Sequence, residues 1–199
     1  MSRKNQILGC ILAGGQSRRM GGRDKFLLPV GGITLLQRVT ERALPQVTEL
    51  VMNYNGDPEK LFFCGLPLIR DPLADTGPLG GILAGLQMAQ DRGYDYLLSF
   101  ACDVPFVPEN YARQLYEAVC AEEADIAVAQ SFERAHPVMG IWHVSLAEDL
   151  EKYLDGGGRK VMDWLVRQKH TKVVWDETPD PFMNINTPED LARACKLLG

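Results

Sequence analysis

The sequence lacks a hydrophobic run long enough to cross a membrane, and it lacks the cysteine patterns of disulfide and zinc sites. None of its apolar runs approaches the roughly 18 residues that a transmembrane helix needs. Its five cysteines are widely separated and never spaced Cys-x-x-Cys, and its three histidines show no His-Glu-x-x-His spacing. We therefore expect reduced, buried thiols and no zinc site.

Basic side chains are in the minority, with 21 Lys and Arg against 26 Asp and Glu and a formal net charge of −5. This balance counts against binding to nucleic acid or to an anionic membrane, because both are polyanions. The first six residues lead into a strand-like segment with Gly-Gly, and not into the apolar stretch and cleavage site of a signal peptide. We therefore expect a cytoplasmic protein that binds neither nucleic acid nor a membrane.

The 199 residues fit one domain, since no repeat, low-complexity segment or linker divides them. Strands are predicted over residues 6–13, 49–53, 67–69, 94–101, 125–129, 138–142 and 171–175. Helices are predicted from about residue 33, after Gly77, from Pro108, over 145–154 and 159–166, and after Thr187. This alternation predicts an α/β domain with a mainly parallel, mixed sheet that helices cover on both faces.

The first predicted strand runs into a loop that is rich in glycine and basic residues, Leu-Ala-Gly-Gly-Gln-Ser-Arg-Arg-Met-Gly-Gly-Arg-Asp-Lys at 12–25. Glycine pairs let backbone N–H groups approach an anion, and residues 14–25 carry a local charge of +3. The loop is neither a Walker A motif nor a dinucleotide Gly-x-Gly-x-x-Gly motif. It predicts an anion-binding site, with a solvated basic turn as the alternative.

Polar residues also follow three other predicted strands. Asn53 and Asp71 lie where turns begin, and they are ordinary turn residues if nothing else is considered. Asp103 follows a strongly hydrophobic strand, in the sequence Cys-Asp-Val-Pro, where it either caps a turn or points into a ligand crevice. Because Mg²⁺ is commonly held by one or two carboxylates plus phosphates and waters, one aspartate there is sufficient for a magnesium site.

Taken in order, these segments resemble the motifs of the nucleotidyltransferase superfamily, and most closely those of the MobA family of molybdenum cofactor guanylyltransferases. The loop at 12–25 and the Cys-Asp-x-Pro segment resemble the superfamily. Gly-Pro-Leu-Gly-Gly at 77–81 and Asn-x-Asn-Thr-Pro at 184–188 resemble the MobA family. The resemblance runs from residue 6 to residue 195. It implies a Rossmann-like domain, with nucleotide bound by about residues 1–105 and an acceptor by about 106–199.

The resemblance also implies roles for individual residues. The expected GTP-binding residues are Leu12, Ala13, Gly14, Gly15, Lys25, Asn53, Asp71 and Asp103. Lys25, Arg19 and Asp103 are the expected catalytic residues, with Asp103 as the ligand of Mg²⁺, or of Mn²⁺ as an alternative. The expected acceptor-side residues are His136, Arg159, Asn184 and Asn186. For His136 a structural role, and for Arg159 a surface charge pair, remain alternatives.

The reaction that the resemblance implies is transfer of GMP from GTP to the terminal phosphate of molybdopterin-bound molybdenum cofactor, which releases pyrophosphate. This phosphate is already largely ionised at neutral pH, so no general base is required. Alternatives are a cytidylyltransferase, a transferase for another small phosphate acceptor, and a non-catalytic nucleotide-binding scaffold. The resemblance favours GTP over CTP, because this chain has Leu-Ala-Gly-Gly at 12–15 where the cytidylyltransferases resemble Leu-Ala-Ala-Gly. A carrier of molybdopterin and recipient molybdoenzymes are implied partners.

Overall fold

The structure, a computed structural model of the chain, describes residues 6–13 and 24–198, except for the side chain of Phe62. Its strands are β1 Ile7–Leu12, β2 Pro29–Val30, β3 Ile33–Thr34, β4 Glu49–Asn53, β5 Leu68–Ile69, β6 Tyr96–Ala101, β7 Ile126–Ser131, β8 Arg134–His143 and β9 His170–Trp175. Its α-helices are α1 Leu35–Ala43, α2 Pro78–Asp91, α3 Tyr111–Ala121, α4 Ala147–Asp155, α5 Val161–Leu165 and α6 Pro188–Leu198.

Within the described part of the chain, seven strands form one sheet in the order β5-β4-β1-β6-β8-β7-β9. Strand β1 runs parallel to β4 and β6, β4 to β5, and β7 to β9, while β8 runs antiparallel to β6 and β7. Six of the seven strands therefore end at the same edge of the sheet, and β8 begins there. We refer to this side as the carboxyl edge, and it is where open α/β sheets bind ligands.

Hydrophobic side chains fill both faces of the sheet, which explains why the central strands are apolar throughout. All six residues of β1 are buried, as expected for a strand that is covered on both sides. Helices α1 and α3 pack on one face, and α2, α4 and α5 pack on the other. The predicted α/β class with a mainly parallel, mixed sheet and helices on both faces is thus confirmed.

Helix α6 belongs to a third, smaller cluster that packs it against β2 and the start of α1. Its buried members are Val30, Leu35, Ile185 and Ala194. The helix begins as predicted, with Thr187 before Pro188, and the Thr187 hydroxyl accepts the backbone N–H of Asp190 at 3.2 Å. No helix in the described residues is long and apolar enough to span a membrane.

The strand and α-helix predictions differ from the structure by more than two residues at three places. Strands β2 and β3 were not predicted; they form a hairpin whose turn residues, Gly31 and Gly32, have φ of +58° and +90°. Strand β8 begins at Arg134 instead of Val138, because its ladder with β7 continues past a register shift beside Pro137. Helix α3 begins at Tyr111, since Pro108 lies in a preceding turn and its carbonyl accepts the Tyr111 N–H.

Candidate active site at the carboxyl edge

The segments at the ends of β1, β4 and β6 meet at the carboxyl edge. The N–H of Ala13, after β1, donates to the carbonyl of Asn53 at 3.0 Å, and the N–H of Cys102, after β6, donates to the carbonyl of Leu12 at 3.2 Å. A cleft of about 840 Å³ lies over these ends, and its lining includes Leu12, Asn53, Asp71, Cys102, Asp103 and Asn184. That volume is within the usual range for small-molecule sites.

At one end of the cleft, Asp103 forms an ion pair with Lys25, and two asparagines support this pair. The Lys25 ammonium donates to Oδ2 of Asp103 and to Oδ1 of Asn186, both at 2.7 Å. The amide of Asn184 donates to the other carboxylate oxygen of Asp103 at 3.3 Å. The Lys25 and Asp103 side chains are only 13% and 20% exposed, so solvent screens their attraction incompletely. We call these four residues the charged end of the cleft.

Lys25 is held in place by contacts of its two neighbours in the chain. It begins a short 3₁₀ turn, Lys25–Leu27, and the next residue, Phe26, is buried with its ring edge-on to Tyr54 at 5.4 Å between centroids. On the other side, Asp24 pairs with Lys60 at 2.8 Å. The backbone of Lys25 is thus anchored by a buried aromatic ring and a surface ion pair, while its side chain extends towards Asp103.

The two asparagines reach the Lys25–Asp103 pair because the chain after β9 returns across the carboxyl edge. The N–H of Ile185 donates to the backbone carbonyl of Asp103 at 2.9 Å, and the Ile185 side chain is fully buried against α6. Asn184 and Asn186 flank this anchor. Their side chains contact Asp103 and Lys25, which are residues expected to bind nucleotide and metal.

At the other end of the cleft, two asparagines and a carboxylate follow β4 and β5. The buried amide of Asn53 donates to Oδ1 of Asp71 at 2.7 Å. The backbone N–H of Asp71 in turn donates to Oδ1 of Asn55 at 2.9 Å. We call Asn53, Asn55 and Asp71 the amide end of the cleft. Asn55 was not predicted, although its position two residues beyond the strand end was a signal available in the sequence.

The first turn of α2 packs closely on the amide end, and glycines make this approach possible. A Cβ atom on Gly81 would lie 2.7 Å from Cγ of Asn53, and one on Gly80 would lie 2.7 Å from Cγ of Asp71. Real Cβ atoms do not come so close to other heavy atoms. The Gly-Gly of the Gly-Pro-Leu-Gly-Gly segment therefore has a packing reason in this fold.

Asp103 provides one carboxylate for a metal ion, and the surrounding side chains fit Mg²⁺ better than zinc. Among the described residues there is no group of three or more His, Cys, Asp and Glu side chains that could enclose a metal. Magnesium needs no such enclosure, because phosphates and waters supply most of its ligands. The adjacent Cys102 does not compete, since burial and then the charge of Asp103 raise the pKa of its thiol to about 12.

Comparison with known proteins agrees with this geometry. The family described as MobA-like NTP transferase domain matches residues 9–173. The chain belongs to this family. It is therefore a nucleotidyltransferase, as the sequence predicted.

Two relatives and one solved structure match nearly the whole chain. A relative from Nitrobacter hamburgensis, named molybdenum cofactor guanylyltransferase, is 43% identical over 194 residues, which cover 95% of this chain and 93% of the relative. A relative of the same name from Cereibacter sphaeroides is 44% identical over 193 residues, or 97% of each chain. The crystal structure of molybdopterin-guanine dinucleotide biosynthesis protein A from Archaeoglobus fulgidus is 25% identical, covers 96% of this chain and 97% of its own, and superposes with a TM-score of 0.79.

Two predicted acceptor-side residues neither line the cleft nor contact its charged end. His136 is buried, its Nε2 lies 2.7 Å from the Ser131 hydroxyl, and its ring packs against Phe182. Arg159 donates to the carbonyls of Leu154 at 2.8 Å and Gly158 at 2.6 Å, which satisfies backbone acceptors at the end of α4. The structure thus gives both residues local packing or capping contacts, and their roles towards an acceptor stay predictions.

The glycine-rich loop is only partly described. Leu12, Ala13 and Lys25 lie at its two ends and at the carboxyl edge. The predicted nucleotide-binding residues Gly14 and Gly15, and the predicted catalytic residue Arg19, lie outside the described residues.

Proposed function

We propose that this nucleotidyltransferase transfers GMP from GTP to the terminal phosphate of a molybdopterin-type acceptor and releases pyrophosphate. The names of relatives that are 43–44% identical over nearly the whole chain support this substrate pair. The observation in the molecule that carries the proposal is the largely buried Lys25–Asp103 pair at the carboxyl edge. It places one cation and one carboxylate side by side, as a metal–triphosphate complex requires.

The two ends of the cleft suit the two ends of a nucleotide. Adjacent strands are about 4.8 Å apart, so the three intervals from β5 to β6 span roughly 14 Å. With the triphosphate at the charged end, the nucleoside extends towards Asn53 and Asp71. The amide and carboxylate there offer both donors and acceptors, which a guanine base or a ribose can use.

In this proposal Asp103 is the residue that would hold Mg²⁺. Bound Mg²⁺ supplies positive charge that neutralises the phosphates and polarises the phosphorus–oxygen bonds. Lys25, whose ammonium now donates to Asp103, donates instead to a phosphate oxygen of the nucleotide. Lys25 thereby exchanges the Asp103 carboxylate for a phosphate, and Asp103 exchanges the ammonium for the metal ion. Each charge keeps a partner of opposite sign, so neither is left unpaired.

The bond changes are those of an in-line displacement. An anionic oxygen of the acceptor's terminal phosphate forms a bond to the α-phosphorus of GTP, and the bond from that phosphorus to the β-phosphate oxygen breaks. The electron pair leaves with pyrophosphate. No residue has to remove a proton, because the attacking phosphate is already ionised. The protein contributes orientation and a fixed positive charge at Lys25 beside the leaving phosphates.

The test is a reaction with GTP, Mg²⁺ and a molybdopterin-bearing acceptor, followed by detection of the guanine dinucleotide by mass spectrometry and of pyrophosphate by a coupled assay. We expect product with GTP, and at least a hundredfold less in Asp103→Ala, in line with losses of about 10²–10³ for a key electrostatic group. Asp91→Ala removes an exposed carboxylate at the end of α2 and is the matched control.

Preferential product formation with CTP would contradict the guanylyl assignment, and near-normal turnover in Asp103→Ala would contradict the role of the charged end. A molybdopterin carrier and recipient molybdoenzymes remain proposed partners. The cytoplasmic location stays a prediction.

A further inference from the structure

The start of α6 contains one hydrogen bond more than a helix cap requires. In a capping box, the first residue's hydroxyl accepts the N–H of the residue three positions later, whose side chain accepts the first residue's N–H. Thr187 and Asp190 make this exchange, with bonds of 3.2 and 2.9 Å. The same carboxylate oxygen of Asp190 also accepts the N–H of Asn186, at 2.9 Å. This third bond contributes nothing to the helix, because Asn186 precedes the cap.

The extra bond connects Asp190 to the charged end of the cleft. Asn186, whose backbone Asp190 holds, accepts the Lys25 ammonium on its Oδ1 at 2.7 Å. Asn186 also follows Ile185, which is fully buried and bonded to the backbone of Asp103. The backbone of Asn186 is therefore restrained on one side by Ile185 and on the other by Asp190.

The hydrogen bonds that Asp190 accepts favour its carboxylate form. The N–H of Asn186 is the largest cause that lowers the pKa of Asp190, and the N–H of Thr187 and the charge of Lys25 act in the same direction, against a partial burial that raises it. The side chain contacts the backbone at 186–187 and does not line the cleft. Its hydrogen bonds therefore act on the charged end through the backbone of Asn186, in addition to the direct attraction between its charge and that of Lys25.

Lys25 has a long side chain, and ordering it costs rotamer entropy unless a partner defines its direction. In the proposed reaction Lys25 turns from Asp103 to the nucleotide phosphates while Asp103 holds the metal ion, so the contact with Asp103 no longer defines its direction. Asn186 is neutral, so it can retain the ammonium while Lys25 also donates to a phosphate. A fixed Asn186 thus defines the direction of Lys25 in both situations.

We propose that Asp190 is a positioning residue for nucleotidyl transfer, which fixes the backbone of Asn186 so that its carboxamide orients the Lys25 ammonium towards the nucleotide phosphates. The inference rests on the proposed function of the cleft. It assigns to the first turn of α6 a role in the reaction that is separate from its role in starting the helix.

The structure offers a matched pair of variants for the test. Asp190→Ala and Thr187→Ala each remove one half of the same capping box, so both lower the midpoint of thermal unfolding by similar amounts. Only Asp190→Ala also frees the N–H of Asn186. We expect kcat/KM for GTP to fall about tenfold in Asp190→Ala, as small misplacements of a reacting group cause, and less than about twofold in Thr187→Ala.

A double-mutant cycle with Asn186→Ala separates positioning from stability. If Asp190 acts through Asn186, then Asp190→Ala causes almost no further loss in the Asn186→Ala background. Asp190→Asn retains an oxygen acceptor of the same shape and is expected to recover most of the activity. It also keeps the test open if Asp190→Ala does not fold.

Calorimetric binding of GTP to each variant is the second readout, and it needs no acceptor. The inference would be overturned if Asp190→Ala and Thr187→Ala lowered kcat/KM and GTP affinity equally. It would also be overturned if Asp190→Ala caused the same loss in the Asn186→Ala variant as in the wild type. In either case, guanylyl transfer by the wild-type protein would leave the proposed function standing. A wild-type protein that binds GTP normally but transfers nothing would contradict the proposed function, and the binding series would still decide the role of Asp190.

Discussion

The two ends of the cleft are assembled in different ways. At the amide end, Asn53 and Asp71 follow neighbouring parallel strands and lie 18 positions apart in the chain. At the charged end, Lys25 contacts residues 78 and 161 positions away. The amide end is thus part of the sheet and its covering helix, whereas the charged end is a meeting of three separate segments.

The two ends also differ in whether their hydrogen bonds can persist when a substrate binds. The hydrogen bond between Asn53 and Asp71 leaves Asp71 a second oxygen for a ligand, so it can persist when nucleotide binds. The Lys25–Asp103 bond joins the two charges that the proposed reaction uses, and in that proposal each charge turns to a substrate group or the metal ion instead. One end is therefore a preformed surface, and the other is a charge pair that exchanges partners.

The largest effect is expected from the charged end. Lys25→Met removes the ammonium while it retains most of the side-chain volume, and we expect kcat/KM to fall by about 10²–10³ because charge on the leaving phosphates is no longer balanced. Lys152→Met is the control, since it removes a lysine that is 70% exposed in an ion pair on α4. Steady-state kinetics measures both. If kcat/KM falls no further in Lys25→Met than in Lys152→Met, the charged end does not contain the catalytic cation.

At the amide end we expect a steric effect instead of an electrostatic one. Gly81→Ala forces a methyl group against Asn53, and such overpacking costs about 1–3 kcal/mol. Denaturant unfolding measures this loss, and GTP binding is expected to weaken in parallel because Asn53 is displaced. Gly156→Ala is the control, because its added Cβ would meet nothing closer than 3.3 Å. An unchanged free energy of unfolding in Gly81→Ala would show that the amide end is not rigid.

A smaller effect with the opposite sign tests the exchange of partners. Asp103→Asn removes the carboxylate that neutralises Lys25, so nucleotide without metal should bind several-fold more tightly than it does to the wild type. The measurement is calorimetry with GTP in the presence of a chelator. Asp71→Asn, at the amide end, should give no such gain. If the two variants behave alike, the comparison between the two ends fails.

The smallest effect concerns His136, which belongs to neither end. Burial lowers the pKa of its imidazole, so the unfolded chain takes up a proton at a higher pH than the folded protein does. The free energy of unfolding is therefore unaffected by His136 protonation above the unfolded pKa of about 6.5. It decreases as the pH falls from there through the lowered pKa of the folded protein, because the unfolded chain then binds a proton that the folded protein does not. Thermal unfolding between pH 7 and pH 5 measures the slope.

His136→Gln is expected to flatten this slope and to leave GTP binding at pH 7 unchanged. A His136→Gln variant with normal stability and weaker acceptor binding would return His136 to the acceptor role predicted from sequence.

Much of the fold was predictable because its signals are local. The apolar run at 6–13, the proline after Gly77 and the Thr-Pro start of the last helix each depend on a few neighbouring residues, and all three predictions are confirmed. The start of β8 was predicted wrongly, because Pro137 interrupts the local pattern and the strand continues across a register shift. That continuation depends on pairing with β7, which no local pattern contains.

For the site, the residues could be chosen from sequence, but their partners could not. Lys25, Asp103, Asn184 and Asn186 were predicted from motifs, yet the asparagines were expected on the acceptor side. The structure places their side chains on Lys25 and Asp103. Whether they also reach an acceptor, and whether the chain divides its work near residue 105, stay predictions.

The sequence by itself determined the class of fold, the family and the chemical types of the side chains at the site, because hydrophobic periodicity and contiguous motifs depend on residues that are close together in the chain. Only the tertiary structure decided which groups meet. The bond from Lys25 to Asn186 exists because β9 ends at the same edge of the sheet as β1 and β6, and because Ile185 is buried against α6. Strand order and burial act between residues that are far apart in sequence, and for that reason no local pattern records them.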